Sequence, residues 1–499
     1  MSGLWISTRT TVNEHGVFAE ERAGAPVITA EGTGTVAMVA QLPWGPDDEV
    51  IVPTDAADRV NIIAPLGMDR TGSGWMCQYN KPWPDLRIVR ALGTAAAKAA
   101  ASLVDAVPAE IAAVVGKYKG VAGNDLVAVV ADAGDGDANH FSLSVSVTNA
   151  LGSTTDLFDN IDFHTSGADP VDCSSARLVG SITQTAAGRP LNGTYTFSGG
   201  ADGSISSASY IGTPESGDRG LALLEGDPEI DIFFADDPGN TDRAAVNAGV
   251  LAHQLLMGDR VGCINGNSAL SPSAVRAAVA VAQSTGLGWA DPWFYQRDPA
   301  GTERLVAPAC ALAVVMANLP PSTSAAWKGQ KVRAFLSFVS RLETARGAAK
   351  GLNTKAGICT LQKERKGGYT FEAAVNTAAA ITPAKKNLTR TRMGIYIAKS
   401  VSDSLREEVD APNVALVQND ILKAVASFLN GLKDNASQDP KGLVHIVNWE
   451  FGDLAGLNPS ADIAAGDFTI PIRVTTSAGM ERIFLSVEYG ETVEIKAAA

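Results

Sequence analysis

The sequence predicts a multidomain α/β (α+β) protein: a discontinuous α/β core interrupted by an all-β outer insertion and followed by a C-terminal α+β unit, with extended arms at both termini. Three observations carry this. Short apolar runs alternate with turns and lead into a helical stretch over residues 26–116, and apolar runs alternate with helices over 204–324, the strand–helix rhythm of an α/β layer. Between them, residues 117–203 are dense in Gly, Ser, Thr, Asp and Asn and alternate apolar with polar at period two, as an all-β module with short turns does. Residues 325–479 then carry two amphipathic helices and alternating strands, between an N-terminal arm (1–25) and a C-terminal arm strand (480–499).

Taken in order, residues 1–25 show no helical period and are expected to be extended. "PVITAEGTGTVAMVAQLPWGP", "DRVNIIAPLG" and "PDLRIVRALG" are strand signals, and "TAAAKAAASLVDAV" predicts an alanine-rich helix. In the insertion, "DLVAVVAD", "HFSLSVSVTN", "ARLVGSI" and "GTYTFSG" alternate. "EIDIFFADDP" predicts a short buried strand, and "TDRAAVNAGVLAHQLLMG" and "SPSAVRAAVAVAQST" predict helices, the first amphipathic. "VAPACALAVVMANL" is too short to span a bilayer and predicts a buried core segment. Further on, Met393, Ile397, Val401 and Leu405 share one helical stripe. A second stripe, over residues 413–434, carries Val414, Val417, Ile421, Val425, Phe428 and Leu432, with Pro412 near its start. "DFTIPIRVT" and "MERIFLSVEY" alternate as strands, and Pro471, which cannot donate to a ladder, puts the first of these at a sheet edge.

The chain has 499 residues, 45% apolar and 19% charged, with a net charge of −14. That length corresponds to about three domains. An acidic chain is repelled by nucleic acid and by anionic membranes, so neither direct nucleic-acid binding nor membrane insertion is expected. The start "MSGLWISTRTTVNEHG" has no basic, apolar leader pattern, and the chain is expected to be soluble and made in the cytoplasm. None of the five cysteines lies at CxxC spacing, and the five histidines form no HxxxH or HExxH pair. "TFSGGADGS" (196–204) has neither the lysine of a phosphate loop nor GxGxxG spacing. "DAGDGDANHF" (132–141) lacks the closing glutamate and central glycine of a calcium loop, and predicts a solvated turn. Ser73 lacks the GxSxG elbow. With no catalytic constellation and no ligand set, no enzyme, no cofactor and no metal are expected.

Several segments, in order, resemble the contractile tail sheath proteins of bacteriophages and related injection machines. "TGTVAMVAQLPWGPDDEVIVPTDAADRVNIIAPLG" is similar to the family's opening pattern, followed by "LRIVRALGTAAAKA". "GKYKGVAGNDLVAVV" resembles the way into the family's outer insertion, and "LNGTYTFSGGADGSISSASYIG" the way back. "ADPWFYQRDPAGTERLVAPACALAVVMA", "AAWKG" and "VNWEFGDLAGLN" continue the match, although "AAWKGQK" lacks the family's proline-alanine-asparagine ending. On this resemblance Gly199, Gly200 and Gly203 mark the hinge where the insertion rejoins the core.

The resemblance implies a structural, non-enzymatic subunit of a virion tail that stacks as hexameric rings around a tail tube and contracts to drive it through the target envelope. Its partners are then other copies of the chain, the tail tube protein, and the baseplate and tail terminator proteins. The 413–434 helix of the inner domain is expected to face the tube, with Gln418, Asn419, Lys423, Asn430 and Lys433 as contact candidates. The terminal strand, with Ile483, Leu485, Val487 and Tyr489, is expected to pair with a neighbouring subunit, since an unpaired edge gains a hydrogen-bond ladder. Cys77 and Cys173 stand in polar, turn-rich sequence and are candidates for an inter-subunit disulfide, whereas Cys310 lies in an apolar run. Two rival readings are a multidomain carbohydrate-binding or carbohydrate-active protein, which requires paired carboxylates in a cleft, and a phage shell or decoration protein.

Overall fold

The computed structural model describes residues 28, 34–53, 85–149, 152–165, 167, 170–212, 219–236, 242–297, 301–326, 335–338, 351–363, 368–408, 413–434, 446–476, 485–487 and 495–497. The N-terminal arm, the strand signal "DRVNIIAPLG", Cys77, Ile483 and Tyr489 lie outside the described residues. Two compact units emerge, one from Gly32 to Ile395 and one containing the chain from Tyr396 to Ala499.

The first unit opens with two parallel strands, β1 (Thr35–Ala40) and β2 (Asp85–Arg90), paired with Val36 opposite Leu86. The chain then leaves for seven antiparallel strands: β3 (Lys98–Val104), β4 (Glu110–Lys119), β5 (Val127–Asp132), β6 (His140–Asn149), β7 (Gly152–Asp162), β8 (Val179–Gln184) and β9 (Gly193–Thr196). It returns to the parallel layer as β10 (Ile232–Asp236), helix α1 (Arg243–Met257), β11 (Val261–Asn265), helix α2 (Pro272–Val279) and β12 (Leu287–Asp291). A small three-stranded sheet follows, from β13 (Phe294–Arg297), β14 (Glu303–Val306) and β15 (Phe335–Phe338), with helix α3 (Pro308–Ala317) between the last two. β16 (Ile358–Lys363) and β17 (Tyr369–Phe371) complete the main sheet, whose order is β17-β16-β12-β11-β10-β1-β2. All its pairings are parallel except β16 with β17.

β10, β11 and β12 are buried at every position, which is why they read as continuous apolar runs: both faces of a parallel sheet are covered. One face packs on α3, whose ten residues are all buried and which starts with proline at the position where a missing N–H costs nothing. The other packs on Val246 and Val250 of α1 and Val275 and Val279 of α2.

The antiparallel strands form two sheets, β3-β4-β8 and β7-β6-β5-β9, around a separate core that includes Phe141, Phe163, Leu143 and Leu178. The sheets meet at both sides. Ala100 and Ser198 exchange backbone hydrogen bonds of 2.9 Å between β3 and the end of β9. At the opposite edge the buried Asp156 carboxylate of β7 accepts the N–H groups of Arg177, Leu178 and Val179 at 3.0, 2.7 and 3.1 Å, so a side chain closes an edge that a ladder leaves open.

Two sequence expectations are corrected here. The stretch predicted as an alanine-rich helix contains strand β3, and the antiparallel block begins at Lys98 rather than at 117. Ala99, Ala101 and Leu103 face the core, and a Cβ on Gly123 would lie 2.9 Å from the Ala99 Cβ. Only small side chains fit that contact, and the cross-strand fit overrides helix propensity. Likewise β16 and β17, within the stretch assigned to a C-terminal domain from 325, belong to the main sheet; the buried run Ile358–Leu361 is core, and the second unit starts at Tyr396.

Near the unit boundary runs helix α4 (Leu388–Ser404), with Met393 and Ile397 buried and Val401 and Leu405 half-buried along the expected stripe. The second unit continues with helix α5 (Ala415–Asp434), then β18 (Ile446–Phe451) paired antiparallel with β19 (Ile472–Thr476), and the short antiparallel pair β20 (Leu485–Val487) and β21 (Ile495–Ala497). β19 starts directly after Pro471, in a sheet of two strands where both are edges.

Candidate functional site: assembly surfaces and the module junction

On α5 the buried stripe is Ile421, Ala424, Val425, Leu429 and Leu432, while Val414, ahead of the helix, is exposed and Phe428 is half-buried. The five polar candidates do not behave alike. Asn419, Lys423 and Asn430 are exposed on one stripe, at i, i+4 and i+11. Lys423 Nζ lies 3.1 Å from Asp420 Oδ1. Asn430 Oδ1 accepts the Trp449 indole N–H at 2.9 Å, and Lys433 Nζ donates to Asn448 Oδ1 at 3.4 Å, so β18 holds the last two turns of the helix. Gln418 is half-buried and donates to Asn413 Oδ1 at 2.7 Å, which ties the first turn to the residue before it. The arrangement leaves Asn419 and Lys423 as the polar groups facing water most freely.

Leu485 and Val487 lie on β20, which has an in-chain partner in β21, with Leu485 opposite Ala497 and Val487 opposite Ile495. The terminal strand is therefore one half of a two-stranded pair rather than a lone strand. Cys173 is a correction. Despite its turn-rich sequence it is buried in the antiparallel core, with Sγ 3.5 Å from the Val171 carbonyl, and burial raises its pKa. Within the single chain the thiol is thus buried rather than exposed. Cys310 is buried, as its apolar run predicts.

The feature that sequence reading missed is the junction of the antiparallel module with the parallel sheet. In doubly wound sheets ligands bind beyond the carboxyl ends of the strands at the switch point, here between β1 and β10. In this chain the loop leaving β1 is taken up by the module itself. Trp44 is inserted into the antiparallel core, edge-on to Tyr118 with centroids 5.4 Å apart, and its indole donates to the Arg177 carbonyl at 3.2 Å. Arg90, the last residue of β2 and only 1% exposed, donates Nε, Nη1 and Nη2 to the carbonyls of Leu42, Gly45 and Pro43 at 2.9, 2.8 and 3.1 Å. Burial pushes its pKa down to about 10, opposed by the carboxylates of Asp202 and Asp47, so the guanidinium stays charged at neutral pH.

"GGADGS" closes this junction. The outgoing and returning chains pair through Ala97–Ala201 and Thr94–Ser204 bridges, and Asp202 Oδ1 accepts the Val121 N–H at 2.8 Å. Gly203 adopts φ +71° and a Cβ there would lie 2.4 Å from the Thr94 carbonyl oxygen; at Gly93 a Cβ would meet the Ser204 backbone at 2.3 Å. These glycines permit close backbone approach, so the segment is a clamp rather than a loose hinge. The one sequence signal for it was the arginine that closes β2, the second of two in "LRIVR".

Other readings find little here. The carboxylates at the junction are engaged: Asp47 with Lys119 at 2.9 Å and Arg219 at 3.6 Å, Asp202 with the backbone. The 132–141 stretch forms the β5–β6 turn, where Asp135 meets the His140 ring at 2.5 Å. Among the described residues no group of three His, Cys, Asp or Glu side chains is placed to hold a metal ion, and no helix is long and apolar enough to cross a membrane.

No protein-family model matches the sequence, and no curated protein matches it either. Solved structures do match the fold. The sheath tail protein Lin1278 from Listeria innocua is 16% identical with a TM-score of 0.59, covering 90% of this chain and 96% of its own. A sheath tail protein (DSY3957) from Desulfitobacterium hafniense is 18% identical with a TM-score of 0.59, covering 88% and 93%. The helical sheath of the anti-feeding prophage in its contracted state is 12% identical with a TM-score of 0.55, covering 97% of this chain and all of its own. The chain thus has the fold of sheath proteins over nearly its whole length, and these neighbours are structural proteins.

Proposed function

We propose that this chain is the structural subunit of a contractile tail sheath, polymerising as stacked hexameric rings around a tail tube and contracting to drive the tube through a target cell envelope. The observation that carries the reading is the end-to-end fold match to sheath proteins, one of them in a contracted helical assembly. It performs no catalysis on this reading, and its partners are further copies of itself, the tube protein, the baseplate and the tail terminator. The stripe of Asn419, Lys423 and Asn430 on α5, with Gln418 and Lys433 at its ends, faces the tube. Many weak polar contacts suit an interface that must let go during contraction, because exposed polar pairs contribute only about 0–1 kcal/mol each. The C-terminal strand pair β20–β21 and the N-terminal arm add strands to neighbouring subunits, which keeps the lattice joined while subunits move as rigid bodies.

The test is direct. Purified full-length chain examined by negative-stain electron microscopy is expected to form long tubes, and the chain lacking residues 480–499 to stay folded and unassembled. Closed shells would point to the shell-protein reading, and normal tubes from the truncated chain would remove the C-terminal strand from the assembly.

A further inference from the structure

A helix lying on a sheet normally turns apolar residues inward and polar ones to water. α1 does not. Its only ionisable side chains are Arg243 and His253, both buried, and every exposed residue along it is alanine or leucine. α2 carries one charge, Arg276, which is half-buried and donates to Asn353 Oδ1 at 3.2 Å. Outward from these two helices stand Ala248, Ala252, Leu255 and Leu256 on α1 and Val281 just after α2. Leu255, Leu256 and Val281 are 66%, 68% and 85% exposed.

These residues form one surface. α1 and α2 pack on the same face of the main sheet, through Val246 and Val250 and through Val275 and Val279. Ser284 Oγ donates to Gln254 Oε1 at 2.6 Å, which fastens the end of α1 to the turn following α2. Thr377 Oγ1 donates to the Ser284 carbonyl at 3.1 Å and brings up the turn that carries Ile381, itself 61% exposed. The patch therefore gathers at the amino-terminal edge of the strands, away from the module junction at their carboxyl ends.

We infer that this uncharged α1–α2 face is a contact surface for a second copy of the chain. The inference rests on the sheath reading for its context, and on charge for its occupant. Copies that each carry a net charge of −14 repel one another, and the least opposed approach is through a surface without charge. The exposed side chains of α1, all alanine or leucine, offer a nucleic acid, an anionic membrane or an acidic protein no cation to pair with. Apolar patches on monomers run to roughly 300–600 Å², short of the roughly 800 Å² per partner in a stable pair. Such a face holds weakly by itself and firmly where the contact is repeated in an array, as in the helical assemblies that share this fold.

The experiment uses the full-length chain with Leu255→Glu and Val281→Glu together, beside Leu255→Met with Val281→Ile. All four substitutions are at exposed positions, so circular dichroism and melting temperature should match the parent chain. Assembly is followed by sedimentation velocity and electron microscopy. The glutamate variant is expected to need at least about tenfold higher concentration to assemble, and the apolar variant to assemble as the parent does. Self-association of the parent in any form, lost in the glutamate variant, supports the contact even where no tubes appear, and in that case the sheath reading fails while this one stands. A folded glutamate variant that assembles at the parent concentration overturns the inference; if that variant has lost its hold on tail tube, the face belongs to the tube. A parent chain that stays monomeric at every concentration overturns it as well.

Discussion

The two units of the chain differ in how far each is finished by its own residues. Between Gly32 and Ile395 the central strands are buried on both faces, and three separate hydrophobic clusters fill the space around and between the sheets. From Tyr396 on, the described strands come only in pairs, β18 with β19 and β20 with β21. Along β18, Val447 is 51% exposed and Trp449 and Phe451 are half-buried, while β19 is exposed or half-buried at every position. A two-stranded sheet is marginal in water by itself. The described part of the first unit encloses its own hydrophobic clusters, whereas the described strands of the second carry open edges and half-exposed apolar residues. Substitutions in the buried cores of the first unit should act on the stability of the single chain, and those at exposed positions of the second on what it assembles with.

The largest effect is expected at Arg90. Arg90→Ala removes the guanidinium that satisfies three buried carbonyls of the Leu42–Gly45 loop, which also carries Trp44 into the antiparallel core. Leaving a buried acceptor unpaired costs about 1–3 kcal/mol, and three carbonyls lose their donor together. Denaturant unfolding followed by tryptophan fluorescence should show that loss, and an unchanged midpoint would mean the loop is held by other contacts. Arg90→Lys should recover little of it, since an ammonium cannot present three donors in the guanidinium's fixed fork.

What the sequence made visible and what it hid follow from the same physics. β5 and β6 were legible because each buries one face, so apolar and polar residues alternate, and β8 and β9 because Val179, Ile182 and the Phe197 that follows β9 turn inward among polar neighbours. β10 and α3 were legible as unbroken apolar runs. β3 was not, because at its inward positions it uses alanine against glycine, and alanine is the best helix former when context is ignored. β16 was hidden inside a stretch that lies far along the chain from the strands it joins. The polar face of α5 could be read from its period, but the roles of Asn430 and Lys433 depend on Trp449 and Asn448, which only folding brings near. Arg90 shows the limit most plainly: its partners are backbone carbonyls, which no side-chain motif announces.

A second effect separates the units by pH. His253 is buried against Phe233, with ring centroids 4.9 Å apart. Burial, and secondarily the charge of Arg260, push its pKa from 6.5 down to about 4. The unfolded chain takes up a proton as the pH falls through the ordinary histidine range, whereas the folded chain resists until about pH 4. The contribution is therefore fully present above the ordinary value and is lost as the pH falls towards 4, by up to about 3 kcal/mol. His253→Gln should flatten that part of the stability curve relative to the parent chain. Identical slopes for both proteins between pH 7 and pH 4 would show that the ring is protonated in the fold.

The smallest effect on the single chain, and the one that most sharpens the comparison, comes from Lys423→Glu with Lys433→Glu. Each substitution changes the charge by −2, so the net charge goes from −14 to −18. Lys423 is 74% exposed beside Asp420, and losing such a pair for a like-charge neighbour costs a few tenths of a kcal/mol. Lys433 stands in the last turn of α5, where exchanging a cation for an anion against the helix dipole costs about 0.3–1 kcal/mol. The melting temperature should therefore hardly move. If α5 faces the tube as proposed, binding to tail tube is expected to fall sharply, because the charge of that face is reversed. Three results are distinct. Lost tube binding with stability intact assigns α5 to the tube. Unchanged tube binding takes α5 off that interface. A loss of more than about 2 kcal/mol in the single chain means that this face is packed inside the second unit, and the contrast between the two units then disappears at this helix.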